Sequence, residues 1–135
     1  MGALFADIPP GGIMKLTFVE ASWFTERWKA RMGDESFRAL QNELVEQPDK
    51  GKVMPGCGGL RKLRFADPSR GKGKRGGVRV VYLHTPEAAR VDFLDVYGKD
   101  DKDDLSPKKK KVLAGLAKVV RAEAIQAFRR AGGAA

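Results

Sequence analysis

Hydrophobic and polar positions alternate with a period of two along residues 15–20, and residues 60–65 and 78–83 are also predicted to be strands, although they set cations among apolar residues. In the first of these stretches Leu16 and Phe18 point to one side, whereas Lys15 and Thr17 point to the other. In residues 60–65 one face carries Leu60, Lys62 and Arg64, and the other carries Arg61, Leu63 and Phe65. A fourth apolar stretch, residues 90–97, follows a proline-containing turn. The pattern therefore predicts four strands, the last three of them close together in sequence.

Three other stretches have the period of an α-helix. Residues 22–33 place aromatic side chains at helical spacing and end at Gly33, and residues 34–47 follow with an apolar stripe that stops before Pro48. A third helix is predicted from Ser106, as the N-cap, and Pro107, at the first helical position, to about Arg130. Its apolar stripe consists of Leu113, Leu116, Val120, Ala124 and Ala127.

The order β-α-α-β-β-β-α predicts an α+β fold in which an antiparallel sheet is covered by an N-terminal helical hairpin and a C-terminal helix. Residues 14–130 are long enough for a single domain. Residues 1–13 contain a proline–glycine cluster before Met14, so we expect a flexible N-terminal extension or a cloning remnant there. Residues 131–135 are expected to form a disordered tail.

Positive charge is concentrated on the hairpin that the second and third predicted strands form with the loop between them. The 135-residue chain has a net charge of +9, and residues 60–79 alone contribute +7 from eight bases and one acid. Such a cluster favours a polyanion, most often nucleic acid, with an anionic membrane surface as the main competitor. No apolar run approaches the roughly 20 residues of a membrane span, and the N-terminus lacks the basic region of a signal peptide, so a cytoplasmic location is expected.

Several familiar kinds of site are disfavoured by the same sequence. Residues 71–76 match G-x-G-x-x-G, but a strand follows them where a dinucleotide site needs a helix. The aspartates of residues 100–104 are better explained as a solvated loop than as a Mg²⁺ or Ca²⁺ site. His84 is the only histidine, which excludes a two-histidine ribonuclease mechanism, and one cysteine excludes a multi-cysteine zinc site.

A dense basic cluster can nevertheless cleave RNA, because RNA carries its own nucleophile in the 2′-OH. Arginines can clamp the phosphate and stabilise the charge of the pentavalent intermediate. Neighbouring cations lower the pKa of a lysine and make it a better base. Composition permits this chemistry and does not demand it, since the same cations can also be the solvated face of the strands.

Three motifs, taken together, resemble the RelE/HigB toxins of bacterial toxin–antitoxin systems, and most closely the HigB branch with a long basic hairpin. They are GLRKLR at residues 59–64, GKGKRGGVRVVY at 71–82 and VYGKDDKDDLS at 96–106. The resemblance covers roughly residues 14–128. It implies a small microbial-ribonuclease-like fold and an endoribonuclease that cuts mRNA in the ribosomal A site without a metal or cofactor. It also implies a cognate antitoxin, often with a DNA-binding domain.

The resemblance further implies roles for particular side chains. Arg64 and Arg79 would hold the scissile phosphate, Lys62 would be the base, and Lys99 would protonate the leaving group. At the places where better-studied members have an arginine and a tyrosine, this chain has Asp100 and Leu105, so the base and the stacking group stay open. The expected RNA- or ribosome-binding residues are Arg61, Lys72, Lys74, Arg75, Tyr97, Lys108 and Lys109.

Two other readings of the sequence remain beside the toxin. A non-catalytic nucleic-acid-binding module would explain the charge equally well, and Lys108 and Lys109 could be a solvated face of the last helix rather than contacts to an RNA backbone. A degenerate toxin, folded and able to bind an antitoxin but inactive, would explain the departures at Asp100 and Leu105.

Overall fold

A computed structural model describes residues 3–7, 15–66, 77–98 and 106–133, with the backbone alone described for 3–7 and Lys15. Its strands are β1 (Ala3–Asp7), β2 (Lys15–Glu20), β3 (Lys52–Val53), β4 (Arg61–Phe65), β5 (Val78–Thr85) and β6 (Arg90–Gly98). Its helices are α1 (Ser22–Arg31), α2 (Asp34–Glu46) and α3 (Pro107–Arg130), with a 3₁₀ turn at Pro86–Ala88. The predicted α+β class is confirmed.

The strands form one sheet in the order β1-β2-β6-β5-β4-β3. The predicted antiparallel meander is confirmed for β4, β5 and β6. The sheet as a whole is mixed, because β2 joins β6 in parallel after the chain has passed through α1, α2 and the meander. Strand β1 pairs antiparallel with β2, although the sequence pattern assigns no element to residues 1–13.

The sheet separates two hydrophobic clusters. The larger one packs α1 and α2 on one face, and includes Phe24, Trp28, Leu40, Phe65 and Phe93. The smaller one lies under α3 on the other face and contains Leu60, Val81, Leu83, Leu94 and Ala117. The predicted N-cap of α3 is confirmed, since the Ser106 hydroxyl accepts a hydrogen bond from the Lys109 amide at 3.2 Å and Pro107 occupies the first turn.

A glycine-rich loop between β3 and β4 brings α3 close to the sheet. Gly58 has a φ of +70°, and a Cβ added there would lie 2.9 Å from the Ala114 carbonyl oxygen. The Arg121 guanidinium donates a hydrogen bond to the Gly58 carbonyl at 2.6 Å. The loop therefore fixes α3 over the sheet face that carries the smaller cluster.

Candidate functional site: a basic face of the sheet

Two arginines face each other across the central hairpin. Arg64 of β4 and Arg79 of β5 are register partners, so their side chains lie on the same face of the sheet. The next strand places Tyr97 of β6 opposite Arg79. Because neighbouring strands are about 4.8 Å apart, this row of three residues spans roughly 10 Å.

Lys62 extends the row along β4. It lies two residues before Arg64 and therefore on the same face, opposite Val81, which belongs to the cluster under α3. Lys62 and Arg79 are partly exposed and Arg64 is exposed. The predicted residues Lys62, Arg64, Arg79 and Tyr97 thus share one face of the sheet, on the side of α3.

A cleft opens beside the two arginines. It has a volume of about 350 Å³ and is lined by Arg64, Phe65, Ala66, Gly77 and Arg79. Neither guanidinium forms an ion pair or hydrogen bond with any residue that the structure describes. Like charges directly opposite each other destabilise a sheet, so an anion bound between the two arginines would relieve the repulsion.

The predicted residue Arg61 lies apart from this row. It alternates to the face of α1 and α2, where its guanidinium donates to the carbonyls of Asp49 and Gly51 at 3.1 and 2.8 Å. The Tyr82 hydroxyl binds the same loop, residues 48–51. It donates a hydrogen bond to the Pro48 carbonyl at 2.8 Å and accepts one from the Gly51 amide at 2.9 Å. Burial raises the pKa of the Tyr82 phenol, which the Gly51 hydrogen bond and the nearby Arg61 only partly offset.

The remaining predicted residues divide into two groups. Lys108 and Lys109 are exposed at the start of α3, and Lys109 lies one turn before Leu113, which packs with Tyr97 against the smaller cluster. Lys72, Lys74, Arg75 and Lys99 lie outside the described residues, as do Asp100 and Leu105.

The sequence analysis missed the non-basic walls of the cleft. Phe65, Ala66 and Gly77 line it, and Phe65 is also a member of the larger hydrophobic cluster. Their position at the two ends of the hairpin loop was the available signal, because residues that flank a hairpin loop must lie next to each other.

The described residues contain neither a cluster of metal-ligating side chains nor a helix that could span a membrane. Within the described residues no three histidine, cysteine, aspartate or glutamate side chains are grouped closely enough to hold a metal ion. In the same part of the chain, none of the helices is both long and apolar enough to cross a membrane.

No protein-family model matches the chain. The structure is similar to the crystal structure of the isolated E. coli RelE toxin in its P21 form, with 20% sequence identity over 76% of this chain and 96% of that chain and a TM-score of 0.41. The chemistry of the protein is therefore inferred from the side chains of its basic face.

Proposed function

We propose that the protein is a RelE/HigB-like toxin of a bacterial toxin–antitoxin system, of the HigB branch. In this proposal it is a metal-free endoribonuclease that cleaves mRNA in the ribosomal A site in the cytoplasm and thereby inhibits translation. The observation that carries the proposal is the opposed pair of Arg64 and Arg79, which lacks partners among the described residues and borders an open cleft.

The two arginines suit a phosphate that gains charge during a reaction. Guanidinium groups form bidentate, charge-assisted hydrogen bonds with phosphate oxygens, and such bonds strengthen as the pentavalent intermediate accumulates negative charge. A purely structural role is disfavoured, since two unpaired arginines opposite each other cost stability. Their position on strands, and not on a loop, holds the pair in a fixed geometry.

The proposed reaction uses the 2′-OH of the nucleotide before the cut. Lys62 is the candidate base that takes the 2′-OH proton as the 2′-oxygen attacks phosphorus. The bond from phosphorus to the 5′-oxygen then breaks, and Lys99 is the candidate acid that protonates the leaving oxygen. The products are a 2′,3′-cyclic phosphate and a 5′-OH end, so the proton count balances with no metal or cofactor.

The remaining basic residues are proposed to hold the ribosome-bound RNA. Lys72, Lys74 and Arg75 of the hairpin loop and Lys108 and Lys109 of α3 would contact mRNA or 16S rRNA backbone, and Tyr97 would stack on a base. Arg61 fits this group less well, because its guanidinium is already engaged by loop carbonyls. A cognate antitoxin with a DNA-binding domain is the proposed protein partner.

Primer extension on a reporter mRNA in a bacterial translation extract tests the function. Wild-type protein should produce cuts at codon-related positions, whereas Arg79→Ala should produce none. Arg38→Ala is the matched control, because Arg38 is exposed on α2 at the other face of the sheet and should leave cleavage intact.

Naked mRNA in the same assay separates two versions of the proposal. Cuts in naked mRNA would support the proposed endoribonuclease activity and contradict its dependence on the ribosome. An absence of cuts in every reaction, with translation unaffected, would overturn the active toxin and leave a nucleic-acid-binding module or an inactive toxin.

A further inference from the structure

Helix α3 exposes apolar side chains on the face that points away from the sheet. Val112 and Val119 are 65% and 66% exposed, more than any other large hydrophobic side chain that the structure describes. They are seven residues apart, which is close to two helical turns, so they lie on the same side of the helix about 10 Å apart.

Two small residues complete this surface, which we call the outer strip: Val112, Gly115, Val119 and Ala122. Their spacings of three and four residues are those of the a and d positions of a coiled coil. Gly115 and Ala122 are exposed, and apart from the adjoining backbone of the helix no heavy atom lies within 4 Å of the point where a Cβ of Gly115 would stand. The buried residues of the helix, Ala117 and Ala124, lie on the opposite side.

Basic side chains accompany the outer strip. Helix α3 contains eight lysines and arginines but a single acid, Glu123, which forms an ion pair with Arg90 at 2.6 Å. Lys111 and Lys118, both exposed and also seven residues apart, run along one flank of the strip at the spacing of a coiled-coil g position. An apolar seam beside a cationic flank is complementary to a helix with an apolar seam and an acidic flank.

We propose that the outer strip is a docking surface for an acidic amphipathic helix of a partner protein. Apolar residues of that helix would pack on Val112 and Val119, and Gly115 would let its backbone approach closely. Its acidic residues would pair with Lys111 and Lys118. This proposal does not depend on the endoribonuclease activity.

Two other occupants are disfavoured by charge and by chemistry. A second copy of the chain would bring two helices with an excess of seven positive charges each against one another. A nucleic acid would be attracted by the lysines, but it would gain little from exposed valines, because a phosphate backbone offers them no apolar surface.

A displayed peptide library provides the test. The library would contain helices about three heptads long, with leucine fixed at the seam and with glutamate, lysine or glutamine allowed at random on the flanks. Selection on the full-length protein should enrich glutamate on the flanks. The selected peptides should bind Val112→Glu/Val119→Glu about tenfold or more weakly, because the anchors of an interface carry most of its binding energy.

Two matched variants make the result specific. Val53→Glu changes another exposed valine, 54% exposed on β3, and should leave peptide binding unchanged. Lys111→Glu/Lys118→Glu should reverse the selection and enrich lysine on the flanks. Circular dichroism would check that each variant keeps its helix content.

Four results would overturn the proposal. The first two are a peptide selection without a charge preference on the flanks, and selected peptides that bind the Val112→Glu/Val119→Glu variant as tightly as the wild type. The third is self-association of the wild type in sedimentation that the Val112→Glu/Val119→Glu variant does not show. The fourth is binding of an RNA oligonucleotide to the wild type that the same double variant abolishes.

Discussion

Gly58 and Gly115 differ in the space that a side chain would have. Gly58 packs against helix α3, whereas Gly115 is part of that helix. Gly58 has a φ of +70°, and a Cβ there would be 3.0 Å from both the Ala114 Cα and the Ala117 Cβ. Gly115 is inside the helix with open space where its side chain would be. At the first position only glycine fits, and at the second glycine lowers the helix propensity.

We therefore expect opposite effects of the same substitution. Gly58→Ala should lower the free energy of unfolding by about 2–4 kcal/mol, because it combines a left-handed backbone with an overpacked contact. Gly115→Ala should raise it by about 0.5–1 kcal/mol. Urea unfolding measures both, and a loss of stability in Gly115→Ala as large as that in Gly58→Ala would contradict the close packing of α3 on Gly58.

Arg61 and Arg64, three residues apart on β4, are expected to behave differently. Arg61→Ala should lower the free energy of unfolding by about 1–3 kcal/mol, since it leaves loop carbonyls without their charged donor. Arg64→Ala should preserve or slightly raise stability, because it removes a repulsion between opposed like charges.

RNA cleavage should show the reverse order, with Arg64→Ala inactive and Arg61→Ala active at temperatures where it is folded. Thermal unfolding combined with the primer-extension assay measures both quantities. Normal stability with lost cleavage in Arg61→Ala would instead place Arg61 among the RNA-binding residues, as the sequence analysis predicted.

The alternation of side chains along β4 and β5 could be predicted, and their register could not. The sequence analysis placed Lys62 and Arg64 on one face and Arg61 on the other, which the structure confirms. The opposition of Arg64 and Arg79 depends on how the long hairpin loop is closed. A long glycine-rich loop does not fix the register in the way that a two-residue turn does.

At the scale of elements, an ion cluster joins β6 to α3. Arg90 forms hydrogen bonds with Asp92 at 2.9–3.3 Å and an ion pair with Glu123 of α3 at 2.6 Å. Arg90 and Asp92 are 8% and 2% exposed. Burial raises the pKa of the Asp92 carboxyl, and the hydrogen bonds and charge of Arg90 offset only part of this rise.

The direction of this shift fixes a pH dependence. Because the pKa of Asp92 is higher in the folded state, its contribution to stability is complete below about pH 4, the ordinary aspartate value, and is lost as pH rises through the folded-state pKa. Arg90→Met should raise the pKa of Asp92 further. The free energy of unfolding should then continue to fall at higher pH, and the total loss should reach about 3–5 kcal/mol at neutral pH, where an unpaired carboxylate is buried.

Urea unfolding as a function of pH checks this expectation. The Arg90→Met/Asp92→Asn double variant is the control, and its stability relative to wild type should vary little over the same range because no buried carboxylate remains. An Arg90→Met variant that is destabilised equally at all pH values would show that Arg90 acts through packing alone.

Among the elements, the sequence predicted all three helices and the four strands β2, β4, β5 and β6. It missed β3, which has only two residues, and the sequence pattern gave no reason to expect β1. It also did not predict the parallel pairing of β2 with β6, because strand neighbours that are distant in sequence follow from packing and not from local pattern. The ion cluster was not predicted either, since it depends on that packing.

At the scale of the whole molecule, one face of the sheet holds the main hydrophobic core and the other carries the basic residues of the candidate site. The face under α1 and α2 holds the larger core and engages Arg61 in a structural contact. The face toward α3 carries Lys62, Arg64, Arg79 and Tyr97 beside an open cleft. The net charge of +9 in the sequence predicted a polyanionic partner, and the structure shows that the guanidinium groups of Arg64 and Arg79 lack an acidic partner among the described residues.

The most direct test of the central claim separates catalysis from binding at Arg79. Single-turnover cleavage rates and affinities for mRNA-programmed ribosomes would be measured for the wild type, Arg79→Ala and the control Arg38→Ala. If Arg79 stabilises the reacting phosphate, its removal should slow cleavage by about 100-fold or more while the affinity changes only a few-fold. An affinity loss that accounts for the whole effect, or a wild type that never cleaves, would contradict a catalytic arginine pair.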